Sequence, residues 1–163
     1  MATGTDVVPE SEREIVVARI IEAPRALVFD AFTDANRLGE WYGPDGFTTT
    51  THRFEFRPGG VWDFIMHGPD GIDYPNYIEF REIVPPERIV QLHGDYAGDP
   101  NAFISTVTFD AHGARTEVTM RALFKTKQER DDVAERFGAI EGGRQTLGRL
   151  AAYVATRVAE NMR

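Results

Sequence analysis

The sequence predicts an α+β protein, in which a curved antiparallel sheet of about seven strands is covered by a long C-terminal helix. Three observations predict it. From about Lys127 to Met162, the residues Val133, Phe137, Ile140, Leu147, Ala151, Val154 and Val158 recur every three or four positions. That is the apolar stripe of an amphipathic helix, with Arg144 its one polar member. From Phe47 to Phe124 the pattern is instead period two, cut by turns rich in glycine and proline. The only other helical signal is a short patch before Gly43. A lone long helix must bury its stripe, and a sheet is the only surface this chain offers.

Length and composition narrow the function. A chain of 163 residues fits one domain with a sizeable core. Residues 1–12 are polar and poor in anchors and read as a flexible N-terminal tail, leaving 13–163 as a single domain. There is no cysteine, which excludes disulfides, thiolate metal sites and cysteine nucleophiles. A formal net charge of −8 argues against nucleic acid and against anionic lipid as partners. Nothing reads as a signal peptide or a membrane span, so a cytoplasmic protein is expected.

Arg13 to Glu22 reads as the first strand, with Val16, Ala18 and Ile20 on one face and Ile15, Val17 and Ile21 on the other. Apolar residues on both faces predict that both are covered, at least in part. Pro24 opens a helix whose inner face is Leu27, Val28, Ala31 and Phe32. Asp34 caps a second short helix, Ala35 to Tyr42, with Leu38 and Trp41 on its buried side. Gly43-Pro44-Asp45-Gly46 stops it. Strands then follow from Phe47 to Phe56, Val61 to His67, Tyr74 to Val84, Arg88 to Gly94, Phe103 to Asp110 and Arg115 to Phe124. Short turns join most of them, so neighbours in sequence should pair antiparallel. Thr126 caps the long helix. Gly142-Gly143 falls inside it, at a cost of about 1 kcal/mol per glycine relative to alanine. The pair marks either a break or a close approach to the helix backbone.

If the pleat holds register, Phe54, Phe56, Trp62, Phe64, Met66, Ile78, Phe80, Val107, Phe109, Val118, Met120 and Phe124 all face the helix. These residues either fill a core or wall a pocket, depending on how strongly the sheet curves. His52 shares the parity of Phe54, and Asn76 that of Ile78, so both are polar candidates for the interior. His67 reads as exposed, and His93 and His112 as residues of strand ends or turns. No HxxH, HxH or HExxH spacing exists, so no metal site is expected. There is no G-x-S-x-G nucleophile elbow, no G-x-G-x-x-G and no P-loop pattern.

Seven stretches in order carry a resemblance. They are Ile21-Glu22-Ala23-Pro24 with Val28-Phe29, Phe32-Thr33-Asp34, Trp41-Tyr42-Gly43-Pro44, and the run Phe54 to Trp62 around Arg57-Pro58-Gly59-Gly60. Met66 to Gly71, Glu82 to Val90 and Gln145 to Leu150 complete them. Over about residues 13–158 the chain resembles the branch named after the activator of the Hsp90 chaperone ATPase. That branch lies within the helix-grip superfamily of START domains, the major birch-pollen allergen and polyketide cyclases (SRPBCC). The resemblance implies a ligand cavity between sheet and helix, no common cofactor, and ties to chaperones and the stress response. It does not imply one activity, since the superfamily includes carriers, cyclases, hydrolases and chaperone cofactors. Many relatives carry a tryptophan where this chain has Gly143, so the glycine either enlarges the cavity or lets the helix sit closer.

The reading is a protein that binds a small apolar or aromatic molecule in that cavity, with cyclase- or hydrolase-like chemistry left open. The lining expected is Trp41, His52, Phe54, Phe56, Trp62, Phe64, Met66, Asn76, Ile78, Phe80, Val107, Met120, Phe137, Gly143 and Leu147. Were there turnover, His52 is the candidate to move a proton. Trp41 and Tyr42 stand where the cavity mouth is expected. The alternative is an interaction module that regulates a chaperone ATPase or another partner without a ligand. Ile15, Val17, Ile21, Ile65 and Ile83, placed on the outer parity, suggest that a second copy of the chain covers that face.

Overall fold

The computed structural model describes residues 9–136 and 138–161. After a 3₁₀ turn at Glu10–Glu12 come β1 (Glu14–Ile21), α1 (Arg25–Asp30) and α2 (Ala35–Trp41). Six strands follow: β2 (Thr48–Phe54), β3 (Val61–His67), β4 (Asp73–Val84), β5 (Arg88–Gly94), β6 (Phe103–His112) and β7 (Arg115–Leu123). The chain then enters α3 (Lys127–Arg136) and α4 (Ala139–Asn161). The seven strands form one antiparallel sheet in the order β1-β7-β6-β5-β4-β3-β2. From β2 to β7, every strand lies beside its neighbour in sequence. β1 closes the far edge against β7, and α1 and α2 carry the chain across the inner face from one edge to the other. This is the helix-grip fold.

Local chemistry sets the helix starts. Asp34 Oδ1 accepts from the backbone N–H groups of Asn36 (2.7 Å) and Arg37 (3.3 Å). Thr126 Oγ1 accepts from Glu129 N at 3.0 Å and caps α3. The expected single C-terminal helix is two helices. The break falls at Gly138, in the left-handed region with φ +59°, where an L side chain would be strained. The glycines that looked like the weak point, Gly142 and Gly143, lie in unbroken α4. A Cβ on Gly143 would come 3.0 Å from Val17 Cγ2. Of the two alternatives open for the pair, the structure has the close approach: α4 beds down on β1.

Three strands also differ from the period-two reading. In β1 it is Ile15, Val17 and Ile21 that are buried, with Val17 under α4, while Val16 and Ile20 are 43% and 39% exposed. The register of β2 slips between Thr51 and Arg53, and that of β4 between Phe80 and Glu82. Each slip is a β-bulge, and an extra residue in one strand reverses the parity on one side of it. Thr49 and Thr51 therefore turn inward opposite Met66 and Phe64, and His52 is exposed. Past its bulge, β4 turns Ile83 inward opposite Ile89, where it packs on the core. Of the five residues that suggested a covered outer face, only Ile65 remains outside, paired with Thr50.

The core lies between the inner sheet face, α1, α2 and α4. Leu147, Leu150 and Val154 carry the α4 stripe into it. Trp41 is fully buried, its ring 4.8 Å from Phe32 and its Nε1 donating to Ala31 O at 3.1 Å.

Candidate functional site

The inner face of the sheet divides into a packed half and an open half. In the packed half, Trp62 stacks on Phe64 at 3.7 Å, and Phe54, Phe56, Phe80, Phe29 and Phe109 meet ring against ring at 5.1–6.1 Å. Ile78, Val107 and Leu147 are buried in the same cluster, and Met120 packs against it. Most of the expected lining residues thus meet one another. Trp41 belongs to this core as well, and Gly143 faces Val17. His52 is exposed at the β2 bulge, and Phe137 lies outside the described residues.

Met66 and Asn76 are placed differently. They line a cleft of about 700 Å³ at the other end of the inner face. Its walls come from β3 to β6, from α3 (Glu129, Asp132, Val133), from Ala139 at the start of α4, and from Pro44 and Phe47. The apolar surface is Met66, Phe103, Phe124 and Val133, with Tyr74 and Phe47 in contact at 5.9 Å between ring centroids. A row of rings at 6.3, 4.9 and 4.9 Å, Phe64–His93–Phe103–Phe124, links the packed half to the cleft.

His93 is the residue that strand parity could have found. It alternates with Ile89 and Gln91, both buried, and so faces inward from β5 opposite Ile78. Its Nε2 lies 2.7 Å from Asn76 Oδ1, while Asn76 Nδ2 donates to Tyr74 O at 2.9 Å. With the amide oriented by that second bond, Oδ1 must accept, so the proton of the neutral imidazole sits on Nε2. Burial holds the ring neutral by lowering its pKa from 6.5 to about 4. Nδ1 is then a hydrogen-bond acceptor. Nothing among the described residues donates to it.

Two clamps shape the rim. Arg149 Nη1 lies 3.0–3.4 Å from the carbonyl oxygens of Tyr42, Gly43, Pro44 and Phe47, four acceptors sharing two N–H groups. This ties the loop after α2 to α4 and fixes Pro44 and Phe47 as one lip. Tyr42, under that loop, packs edge-on to Trp62 at 4.8 Å, and burial pushes its pKa up to about 12, so the phenol stays protonated. On the other side, Asp99 folds the β5–β6 loop by accepting from Asp95 N (2.8 Å) and Asn101 N (2.9 Å). A Cβ on Gly94 would lie 2.8 Å from Asp99 Cβ, so glycine is what lets this loop fold back over the cleft.

A second hollow, of about 640 Å³, runs between α2 and α4 past Arg37, Arg149, Tyr153 and Arg157. It is an open polar groove. Arg37 and Arg157 already face Asp30 at 2.8 and 4.0 Å, and Arg149 is committed to the loop carbonyls. Among the described residues, no three His, Asp or Glu side chains converge on a position that could hold a metal ion. No helix there is long and apolar enough to cross a membrane.

Solved structures share this architecture. A protein from Nitrosomonas europaea superposes with a TM-score of 0.82 at 23% identity, covering 93% of this chain and 99% of its own. One from Chromobacterium violaceum gives 0.75 at 26% identity, covering 87% and 96%. DynU16, a protein from the dynemicin biosynthetic locus, gives 0.67 at 20% identity over 88% of this chain and 48% of its own. No curated protein matches significantly in sequence. Residues 22–155 match the family described as Activator of Hsp90 ATPase homolog 1-like protein, and the chain belongs to that family.

Proposed function

We propose that the protein binds a small apolar or aromatic molecule in the cleft between the open half of the sheet and the α3–α4 junction. One observation carries the reading: a hollow of about 700 Å³ has Met66, Phe103, Phe124 and Val133 as apolar wall and the hydrogen-bonded polar pair His93–Asn76 among them. That combination is what small-molecule sites use, apolar surface for affinity and a few fixed polar groups for orientation. Each 100 Å² of ligand apolar surface removed from water contributes about 2.5 kcal/mol before the costs of immobilisation. In this reading Met66 and Asn76 are ligand-binding, and neutral His93 offers Nδ1 as a hydrogen-bond acceptor. The packed-half residues, Phe54, Trp62, Phe80 and Val107 among them, support the wall from behind.

The test uses Nile red, a neutral dye whose emission rises on leaving water. Val133→Trp and Ala139→Trp put bulk into the cleft from half-buried helix positions. The expected result is saturable uptake by the native chain and loss of uptake in both variants with unfolding midpoints nearly unchanged. No uptake by the native chain, or uptake untouched by both substitutions, overturns the reading.

A chaperone-docking role, which the family description suggests, has less support in the geometry. Among the described residues of the outer sheet face Val16, Ile20 and Ile104 are exposed, but the charged pair Arg121–Glu14 (3.3 Å) sits beside Val16 and interrupts the apolar surface. The same face gives little basis for a homodimer.

A further inference from the structure

We infer that the ligand of this cleft is cationic, an aromatic or apolar body bearing a protonated amine. The inference rests on the cleft reading above and adds the ligand's charge. Four of the residues lining the cleft are carboxylates: Asp95 and Asp99 from the β5–β6 loop, and Glu129 and Asp132 from α3. Among the described residues, no lysine or arginine lines it. Among the described residues, none of the four carboxylates has a lysine or arginine within ion-pair distance. Lys125, next to Phe124 in the chain, donates to Pro100 O.

The polar atoms that remain available in the cleft point the same way. Asp132 takes one bond, from Gln128 Nε2 at 2.8 Å, and Asp99 uses its oxygens on backbone N–H groups, which leaves its charge unneutralised. Asp95 is raised in pKa by burial and by the charge of Asp99, so the two acids feel each other across the loop. His93 presents Nδ1, an acceptor, because Asn76 holds the proton on Nε2. One of the two N–H groups of the Asn76 amide goes to Tyr74 O, and the Tyr74 hydroxyl donates to Asp70 at 3.3 Å. A ligand that enters meets acceptors and negative charge set close to aromatic faces. An ammonium group supplies three donors and a positive charge that those faces also attract. A carboxylate ligand would meet repulsion and few donors.

Three probes with one skeleton test this: naphthylmethylamine, naphthylmethanol and naphthoate, titrated calorimetrically into the full chain at neutral pH and at low and high salt. The expected order is amine, alcohol, acid, with the amine at least about fivefold tighter than the alcohol at low salt, an advantage that shrinks at high salt. In the double variant Glu129→Gln with Asp132→Asn, which leaves Asp95 and Asp99 in place, the advantage of the amine over the alcohol should shrink at least about twofold at low salt. If alcohol and amine bind equally, or the acid binds best, the cationic assignment fails and the cleft stands. If none of the three binds, the cleft reading fails and takes the assignment with it.

Discussion

Two halves of one sheet face have been used differently. In the packed half every inward side chain finds another: Phe54, Phe56, Phe80, Trp62 and Phe64 meet across β2, β3 and β4, and Trp41 plugs them from α2. In the open half Met66, Asn76, His93 and Phe103 face a hollow. The difference lies in what covers them. α4 beds on β1 through Gly143 and Val17, while at the helix break marked by Gly138 the hollow is walled by Val133 of α3 and Ala139 of α4. Ring content alone does not separate the two halves: the packed half is ring on ring, and the hollow, itself lined by Phe47, Tyr74, Phe103 and Phe124, lies at the helix break.

The largest expected effect breaks the packed half. Trp41→Ala removes a fully buried indole and its bond to Ala31 O, and should cost about 3–5 kcal/mol of stability. Urea unfolding followed by circular dichroism measures it. A cost near zero would mean that the packed half is not packed.

The open half should show itself through pH. His93 titrates near 4 in the fold and near 6.5 when unfolded, so protons favour the unfolded chain as pH falls. Stability should be independent of this group above pH 6.5, decline between 6.5 and 4, and be flat again below 4. The total loss is at most about 3 kcal/mol, since water in the cleft softens the burial. His93→Gln should remove that slope from urea titrations taken across the range. An unaltered slope would place the proton elsewhere.

The smallest effect probes the seam between the halves. Gly142→Ala meets only Pro44 Cγ at 3.4 Å and should gain up to about 1 kcal/mol from helix propensity. Gly143→Ala meets β-branched, strand-bound Val17 at 3.0 Å and should instead lose about 1 kcal/mol, recovered when Val17→Ala is added. Equal gains at both glycines would mean that α4 has room to spare over β1.

Much of this fold was legible in the sequence because its periodicities are strong. The strands from Val61 to His67 and from Arg88 to Gly94 could be bounded from residues alone, and Asp34 announced its own helix. Single-residue events were not legible. A bulge at His52 and another at Arg81 reverse parity without leaving a composition signal, which is why His52 seemed to share the face of Phe54 and Ile83 seemed to face out. His93 was passed over as a strand-end residue, although its spacing from Ile89 and Gln91 puts it inside. The apolar stripe runs through Phe137 and Ile140 without interruption, so nothing in it marked Gly138 as the break rather than Gly142-Gly143.

The central claim is that ligand seats in the open half and not in the packed half or in the groove between α2 and α4. Heteronuclear NMR of the labelled chain, titrated with naphthylmethylamine, tests it directly. The account predicts saturable shifts at the Asn76 side-chain amide and the His93 ring, together with Gly94, Phe103 and Val133. Shifts confined to Arg37, Tyr153 and Arg157, or none at saturating probe, would contradict it.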